Sequence, residues 1–343
     1  MRTAVSTEFV PPNEVVIVYL DERSRKELNV DNNSLRGLHA RLLERLKADQ
    51  ARAVVLDILF VDAKDSVTDN KLAQAIKAHG NVVLAAGLSP LSHPEYVGES
   101  IFLPKKEFVE AAKACGIADQ VVESDGVIRT HYPGIDQFPS LAWRTAEVIG
   151  APVTREPDNR LQERWLNYYG PPDTFAHVSF YEALEPEGVL AGFFRDKVVY
   201  VGGRRLTEPL DPKKQVDEFR TPFTWLAKTI IPGVEVQATE FLNLVRQDWL
   251  TRPAPAVQMG VLLLAGLTLG YCLPLFRPAR ATLLAVAAAL LVAGLSFLCF
   301  WLLRIWFPWL LIVAIEIPVA LLSSVIIATI KLHIEQESGF SPA

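Results

Sequence analysis

Three apolar runs of bilayer-spanning length, 256–276, 281–303 and 305–330, close this sequence and leave only residues 331–343 after them. A helix rising about 1.5 Å per residue needs roughly 20 apolar residues to cross the hydrocarbon core, and each run reaches that length. No charged side chain interrupts Val257 to Phe276 or Ala281 to Leu303. Inside a bilayer the backbone finds no water to bond, so runs of this kind must be helices. Arg277-Pro278-Ala279-Arg280 joins the first two, and Arg304 is the only charge before Ile305 opens the third. Links this short make neighbouring spans antiparallel, which predicts a C-terminal three-helix transmembrane bundle.

Most of the charge lies before residue 253. A formal net charge of −5, with no basic stripe interleaved with aromatics, argues against a nucleic-acid partner. The leading segment is long enough to bury a sizeable core as one large domain or two small ones. Cys272 and Cys299 sit inside apolar runs and leave Cys115 alone in the soluble part, so no disulfide framework is available. The predicted organisation is a short N-terminal segment (1–11, disordered or truncated), a soluble domain (12–252), the three spans (253–330) and a tail (331–343). Thr251-Arg252-Pro253-Ala254-Pro255 reads as a stiff junction between domain and membrane.

Within the soluble part, strand and helix signals alternate. Val15 to Leu20 is a continuous apolar, β-branched run stopped by Asp21, as a strand buried on both faces should read. Ser34 to Ala48 carries leucines at helical spacing, with Ser34 as a cap. A second strand (53–58), a helix (68–79) and a third strand (82–86) follow. This order predicts an α/β fold with a mostly parallel sheet flanked by helices. Residues 116–122 and 127–132, around Ser124-Asp125-Gly126, read as an antiparallel insertion built on a turn. A helix to about Ile149, a strand at Trp165 to Tyr169, a short helix at Ser179 to Leu184, a strand at Lys197 to Val201 and a helix at Val234 to Arg246 complete the reading.

Several segments, in order, resemble a known family. They are Ala51-Arg52-Ala53-Val54-Val55-Leu56-Asp57-Ile58-Leu59-Phe60, Gly80-Asn81-Val82-Val83-Leu84-Ala85, Asp125-Gly126-Val127-Ile128-Arg129 and Pro139-Ser140-Leu141-Ala142. Leu166 to Pro171, Lys197 to Gly203, Thr221-Pro222 and Pro232 to Ala238 continue the series. Together they resemble the type-2 CHASE domain, an extracytoplasmic sensory domain of bacterial signalling receptors. The resemblance implies a module outside the cytoplasmic membrane, followed by three transmembrane helices that lead in the family to a cyclase or kinase. It also implies an N-terminal transmembrane helix, whereas Met1 to Glu8 contains no apolar stretch. A truncated or misassigned start is the expectation. Lys331 to Ala343 is too short for a catalytic effector, so output is expected through a partner or an effector absent from this chain.

With the soluble domain outside, the Arg277/Arg280 loop and Lys331 are cytoplasmic and Arg304 is outside, which satisfies the positive-inside rule. Arg246 and Arg252 offset that excess if counted, but large domains translocate with little regard to charge, so the short loops decide. The expected location is the cytoplasmic (inner) membrane, multi-pass, with the C-terminal tail inside.

Carboxyl ends of parallel strands are where α/β proteins collect ligands. Asp21 and Asp57 end strands read as adjacent, and with Asp62 they offer oxygen ligands suited to a hard cation, or simply cap the following turns. Asp125 and Arg129 are further ligand candidates, with pairing to each other as the plainer account. Gly202-Gly203-Arg204-Arg205 offers either an anion cradle or a plain turn. The six histidines show no zinc spacing and no nucleophile elbow is present, so no metal, cofactor or catalytic residue is assigned. Near the middle of the third span, Glu316 would be costly facing lipid, and Pro318 removes a backbone donor two residues on. These two are the candidates for helix pairing or signal transmission. The leading function is a membrane-anchored extracytoplasmic sensor or adaptor that binds an unknown ligand as a homo-oligomer or with a membrane signalling partner. Its rivals are a non-sensing scaffold subunit and a membrane-tethered enzyme using Asp21 and Asp57.

Overall fold

The computed structural model describes residues 13–29, 35–93, 96–204 and 217–338. The chain divides into two compact units, Met1–Trp249 and Leu250–Ala343. In the first, the strands are β1 (Val15–Leu20), β2 (Ala53–Asp57), β3 (Val82–His93), β4 (Tyr96–Phe102), β5 (Ala114–Ile117), β6 (Gly134–Ile135), β7 (Phe138–Pro139), β8 (Ala176–Ser179), β9 (Val198–Gly203), β10 (Glu218–Phe219) and β11 (Ile231–Pro232). Its helices are α1 (Glu22–Glu27), α2 (Leu35–Ala48), α3 (Ser66–His79), α4 (Lys106–Ala111), α5 (Leu141–Val148), α6 (Phe180–Leu184), α7 (Thr224–Ala227) and α8 (Gly233–Arg246).

β5, β3, β2, β9, β1 and β8 pair in that order, all parallel. β1 is wholly buried, and its alternate residues divide between two cores, as the two-residue strand period requires. Val15, Ile17 and Tyr19 pack with Trp143 and Ala146 of α5 and Phe241 and Leu242 of α8. Val16, Val18 and Leu20 pack with Leu42, Leu43 and Leu46 of α2, Leu72 and Ile76 of α3, and Phe180 of α6. Local chemistry sets the boundaries. Asp65 caps α3 by accepting from Thr68 N at 3.0 Å, and Gly80 ends it at φ +86°. Ser140 caps α5 by accepting from Trp143 N at 3.2 Å.

Gly116 lets β5 meet α5 closely, because a Cβ there would lie 2.6 Å from the Leu141 Cα and from the Ser140 carbonyl oxygen. Backbone cannot yield as a side chain can. Gly116→Val is expected to cost at least about 2 kcal/mol, read as a lower denaturation midpoint; an unchanged midpoint would refute this packing.

Three sequence expectations need correction. The antiparallel pairing is not at 116–132 but between the second half of β3 and β4, Gly87↔Phe102 through His93↔Tyr96. β3 therefore outgrows the parallel sheet, with Pro90 inside its antiparallel half, where a proline argues against a strand. Residues 127–132 make only single bridges, Val127 to Arg220 and Thr130 to Trp165, although the Ser124-Asp125-Gly126 turn is present, with Gly126 N donating to Glu123 O at 2.8 Å. Residues 165–169 likewise form no strand beyond the bridge at Trp165, because Asn167 N donates to the Asn243 side chain of α8 instead of to a neighbouring strand.

The second unit holds α9 (Pro255–Cys272), α10 (Pro278–Leu303), a π-helical turn at Ile312–Glu316 and α11 (Ile317–Ser338). Three segments are long and apolar enough to cross a membrane: Pro255–Leu275, Pro278–Leu303 and Ile312–Ile334. Their outer surfaces are apolar, as Leu264, Leu267, Leu290 and Leu322 show. Leu273, Ala285, Ile312, Ile317 and Ala320 pack between them. The third span starts later than the apolar run suggested. Arg304 ends α10 in the left-handed region, Ile305 bridges to Thr251, and Pro308 removes a donor where a helix would begin.

Candidate functional site

Strand order rearranges the carboxyl edge of the sheet. β9 lies between β1 and β2, pairing with both, so Asp21 and Asp57 do not end adjacent strands. Asp21 caps α1: its Oδ1 accepts from Ser24 N at 2.7 Å and its Oδ2 from the Ser179 hydroxyl at 2.6 Å. Asp62 lies apart from both, its carbonyl accepting from Arg36 Nη2 at 2.6 Å. There Arg36 and Lys105 converge on buried Asp69 at 3.0 and 2.9 Å, with the Arg36 guanidinium over Phe60 and Phe108. Asp57 instead feels Asp217 and Asp119. Burial first, then those two carboxylates, holds its carboxyl well above the usual range.

Asp217 reaches this edge through α8. Gly233 N donates to the Asp217 carbonyl at 3.0 Å, and the Asp217 carboxylate occupies the space a Cβ on Gly233 would need. Gly202 serves the same approach, since its Cβ would meet Val234 Cβ at 2.6 Å. Gly202 therefore lets β9 and α8 pack closely, while a Cβ on Gly203 would meet open space. Arg204 forms a two-pronged pair with Asp173 at 2.6 and 2.7 Å and lies over Tyr19. Arg205 falls outside the described residues.

Most of α8 is buried, polar residues included. Glu235 accepts from Tyr19 OH at 3.2 Å and Asp173 N at 3.4 Å, and burial raises its carboxyl to about 7. Glu240 accepts from Tyr132 N at 3.1 Å through Oε1, while Oε2 lies 3.8 Å from His131 Nδ1. Burial raises Glu240 to about 8 and depresses His131 to about 3, the Arg164 charge adding to the latter. At neutral pH this pair is uncharged on both sides. Sequence reasoning missed it, because glutamates on a helix read as a solvated face. The available signal was the apolar neighbours of the two glutamates, in Val234-Glu235-Val236 and Glu240-Phe241-Leu242.

Asp125 and Arg129 do come together. Arg129 Nη2 donates to Asp125 Oδ2 at 2.7 Å and Nη1 pairs with Glu123, and the Arg129 hydrogen bonds hold the Asp125 carboxyl below its usual range. The guanidinium is thus occupied by the turn it follows. Glu316 closes the π-helical turn, its carboxyl in ordinary contact distance, 3.7 Å, of a Cβ placed on Gly266 of α9. Pro318 follows as the second residue of α11. Among the described residues no group of three or more His, Cys, Asp or Glu is placed to hold a metal ion.

A parallel sheet covered by helices on both faces, followed by three apolar helices of spanning length, defines a membrane-attached α/β domain protein. The chain belongs to the CHASE2 domain family, whose model matches residues 1–272. Comparison with curated proteins and with solved structures returned no match. The family assignment makes the soluble unit an extracytoplasmic sensory domain and, with three candidate spans, makes this a membrane signalling protein.

Proposed function

We propose that the chain is a multi-pass protein of the cytoplasmic membrane whose CHASE2 domain detects a stimulus outside the cell and relays it through the three spans. Relay passes to a separate effector, reached as a homo-oligomer or through a membrane signalling partner. The observation that carries this reading is the position of α8. It runs through the domain core, bears the buried Glu235 and Glu240, and ends eight residues (247–254) before the first span. A shift of such a helix is a direct way to convert a change in the domain into a displacement at the membrane. In this reading Asp57, Asp125 and Arg129 are the candidate ligand contacts, and Asp21 caps α1. Glu316 and Pro318 mark the irregular turn at which the third span would yield to or pair with a partner.

Orientation is the first test. In a background lacking Cys115, Cys272 and Cys299, Glu187→Cys on the exposed domain surface should react with a membrane-impermeant maleimide in intact cells whose outer barrier is permeabilised. Arg280→Cys, in the first turn of the second span, should react only after lysis. The opposite pattern would overturn the extracytoplasmic placement and the sensor reading with it.

A further inference from the structure

Glu240 and His131 face one another inside the domain in an arrangement that calls for a proton. Glu240 Oε2 and both ring nitrogens of His131 are buried and make no hydrogen bond among the described residues. Oε2 and Nδ1 stand 3.8 Å apart, with both side chains almost fully excluded from solvent. Buried polar atoms are nearly always paired, so this juxtaposition needs an explanation. An ionised carboxylate oxygen only accepts, and neutral His131 has a single ring N–H; with that hydrogen on Nε2 the facing Nδ1 and Oε2 are both acceptors, and a proton on Oε2 supplies the donor between them.

The surroundings favour retention of that proton on Glu240. From the preceding loop come Gln120 and the Tyr132 N–H, from β2 Asp57, from β9 the Tyr200 hydroxyl and from the 165–169 segment Tyr168. The titratable group that bears on Glu240 is Asp57, whose own carboxyl burial, Asp217 and Asp119 hold well above the usual range. Arg164 acts on His131 and opposes its protonation. An ionised Glu240 would therefore sit desolvated in the core, a state stabilised only if α8 moves or water enters.

We propose that Glu240 and His131 form a proton-binding site, and that extracytoplasmic acidity, read at this site, is the stimulus that α8 relays. The binding half stands on the geometry alone, and the relay half rests on the sensor reading above. Protonated, Glu240 keeps α8 seated in the core. Loss of the proton to solvent leaves a buried carboxylate and shifts the helix towards a hydrated arrangement, so the two states differ in affinity for the proton as a two-state sensor requires.

The test uses the full chain in lipid nanodiscs. Hydrogen exchange in α8, corrected for the intrinsic pH dependence of exchange, gives the opening constant of the helix from pH 6 to 9. Each proton lost on opening raises that constant about tenfold per pH unit. Glu240→Gln should lower the slope between pH 7 and 8 by most of one proton, whereas Glu235→Gln should lower it by a smaller fraction. An unaltered slope in Glu240→Gln would overturn the site. Should that variant fail to fold, Glu240→Asp keeps a carboxyl at shorter reach and must alter the infrared C=O band of the protonated buried carboxyls at pH 6; an unaltered band overturns the site equally. A fluorophore on Cys272, with Cys115 and Cys299 replaced, reports the relay. A response that titrates with the helix supports it; silence beside an intact Glu240 slope leaves the proton site standing and removes the relay.

Discussion

Stability of the soluble unit is expected to peak between about pH 5 and 6.5 and to fall steeply towards pH 8. Glu235 and Glu240, at about 7 and about 8 in the folded state, lie above the ordinary value of 4.5. A carboxyl raised in this way contributes stability that is fully present below its unfolded value and is lost as pH rises through the folded one. For Glu240 the full loss is on the order of 3–5 kcal/mol, at about 1.4 kcal/mol per pH unit, and Asp57 and Asp217 shift in the same direction. Buried histidines work the other way. His131 at about 3 and His39 at about 4 stay neutral in the fold, so their contribution is lost as pH falls below 6.5. The carboxyls therefore govern the alkaline side, and the two sets oppose each other below pH 6.5. Denaturant midpoints of the full chain in detergent, taken at half-unit steps from pH 5 to 8.5, measure this. A midpoint that stays flat or rises from pH 6.5 to 8 would show that these carboxyls are not held protonated.

The acid preference arises from parts of the chain that a linear reading cannot join. β1, β2, β9 and α8 were visible because each is a local pattern, an apolar strand run or a helical face. The order of strands in the sheet is a matter of long-range pairing. β9 enters between β1 and β2 from far along the sequence and separates Asp21 from Asp57, which order along the chain had placed side by side. The same distinction runs through the site. Asp125 and Arg129 are four residues apart around a turn, so their pairing could be anticipated. Glu240 and His131 come from separate segments, and nothing local in either marks it for the other. In the membrane unit, apolarity located all three spans. The irregular entry at 305–311 escaped because apolar composition alone does not distinguish a helix from the chain that leads into it.

Asn243→Leu is expected to destabilise the soluble unit by about 3–5 kcal/mol, the sum of several buried groups left without partners at roughly 1–3 kcal/mol each. Asn243 lies on the last turn of α8 and is 2 % exposed. Its Oδ1 accepts from Asn167 N at 2.8 Å, and its Nδ2 donates to Asn167 O at 3.1 Å and to the Tyr169 hydroxyl at 3.0 Å. Tyr169 in turn donates to Asp248 Oδ1 at 2.7 Å, just beyond the end of the helix. One amide therefore replaces a missing strand partner for residues 167–169 and anchors the segment that leads out of α8. Leucine has similar volume, so the change tests the hydrogen bonds and not the packing. Tyr169→Phe should cost less, about 1–2 kcal/mol, because the reciprocal Asn243–Asn167 pair survives. Denaturant midpoints for the two variants, with slopes compared to confirm an unchanged transition, decide the point. If Asn243→Leu costs no more than Tyr169→Phe, the amide is not the keystone of this end of the helix, and α8 is held by its apolar face alone. In that case the helix would be free at its C-terminal end, and a relay through it would depend on Glu235 and Glu240 seating its other turns.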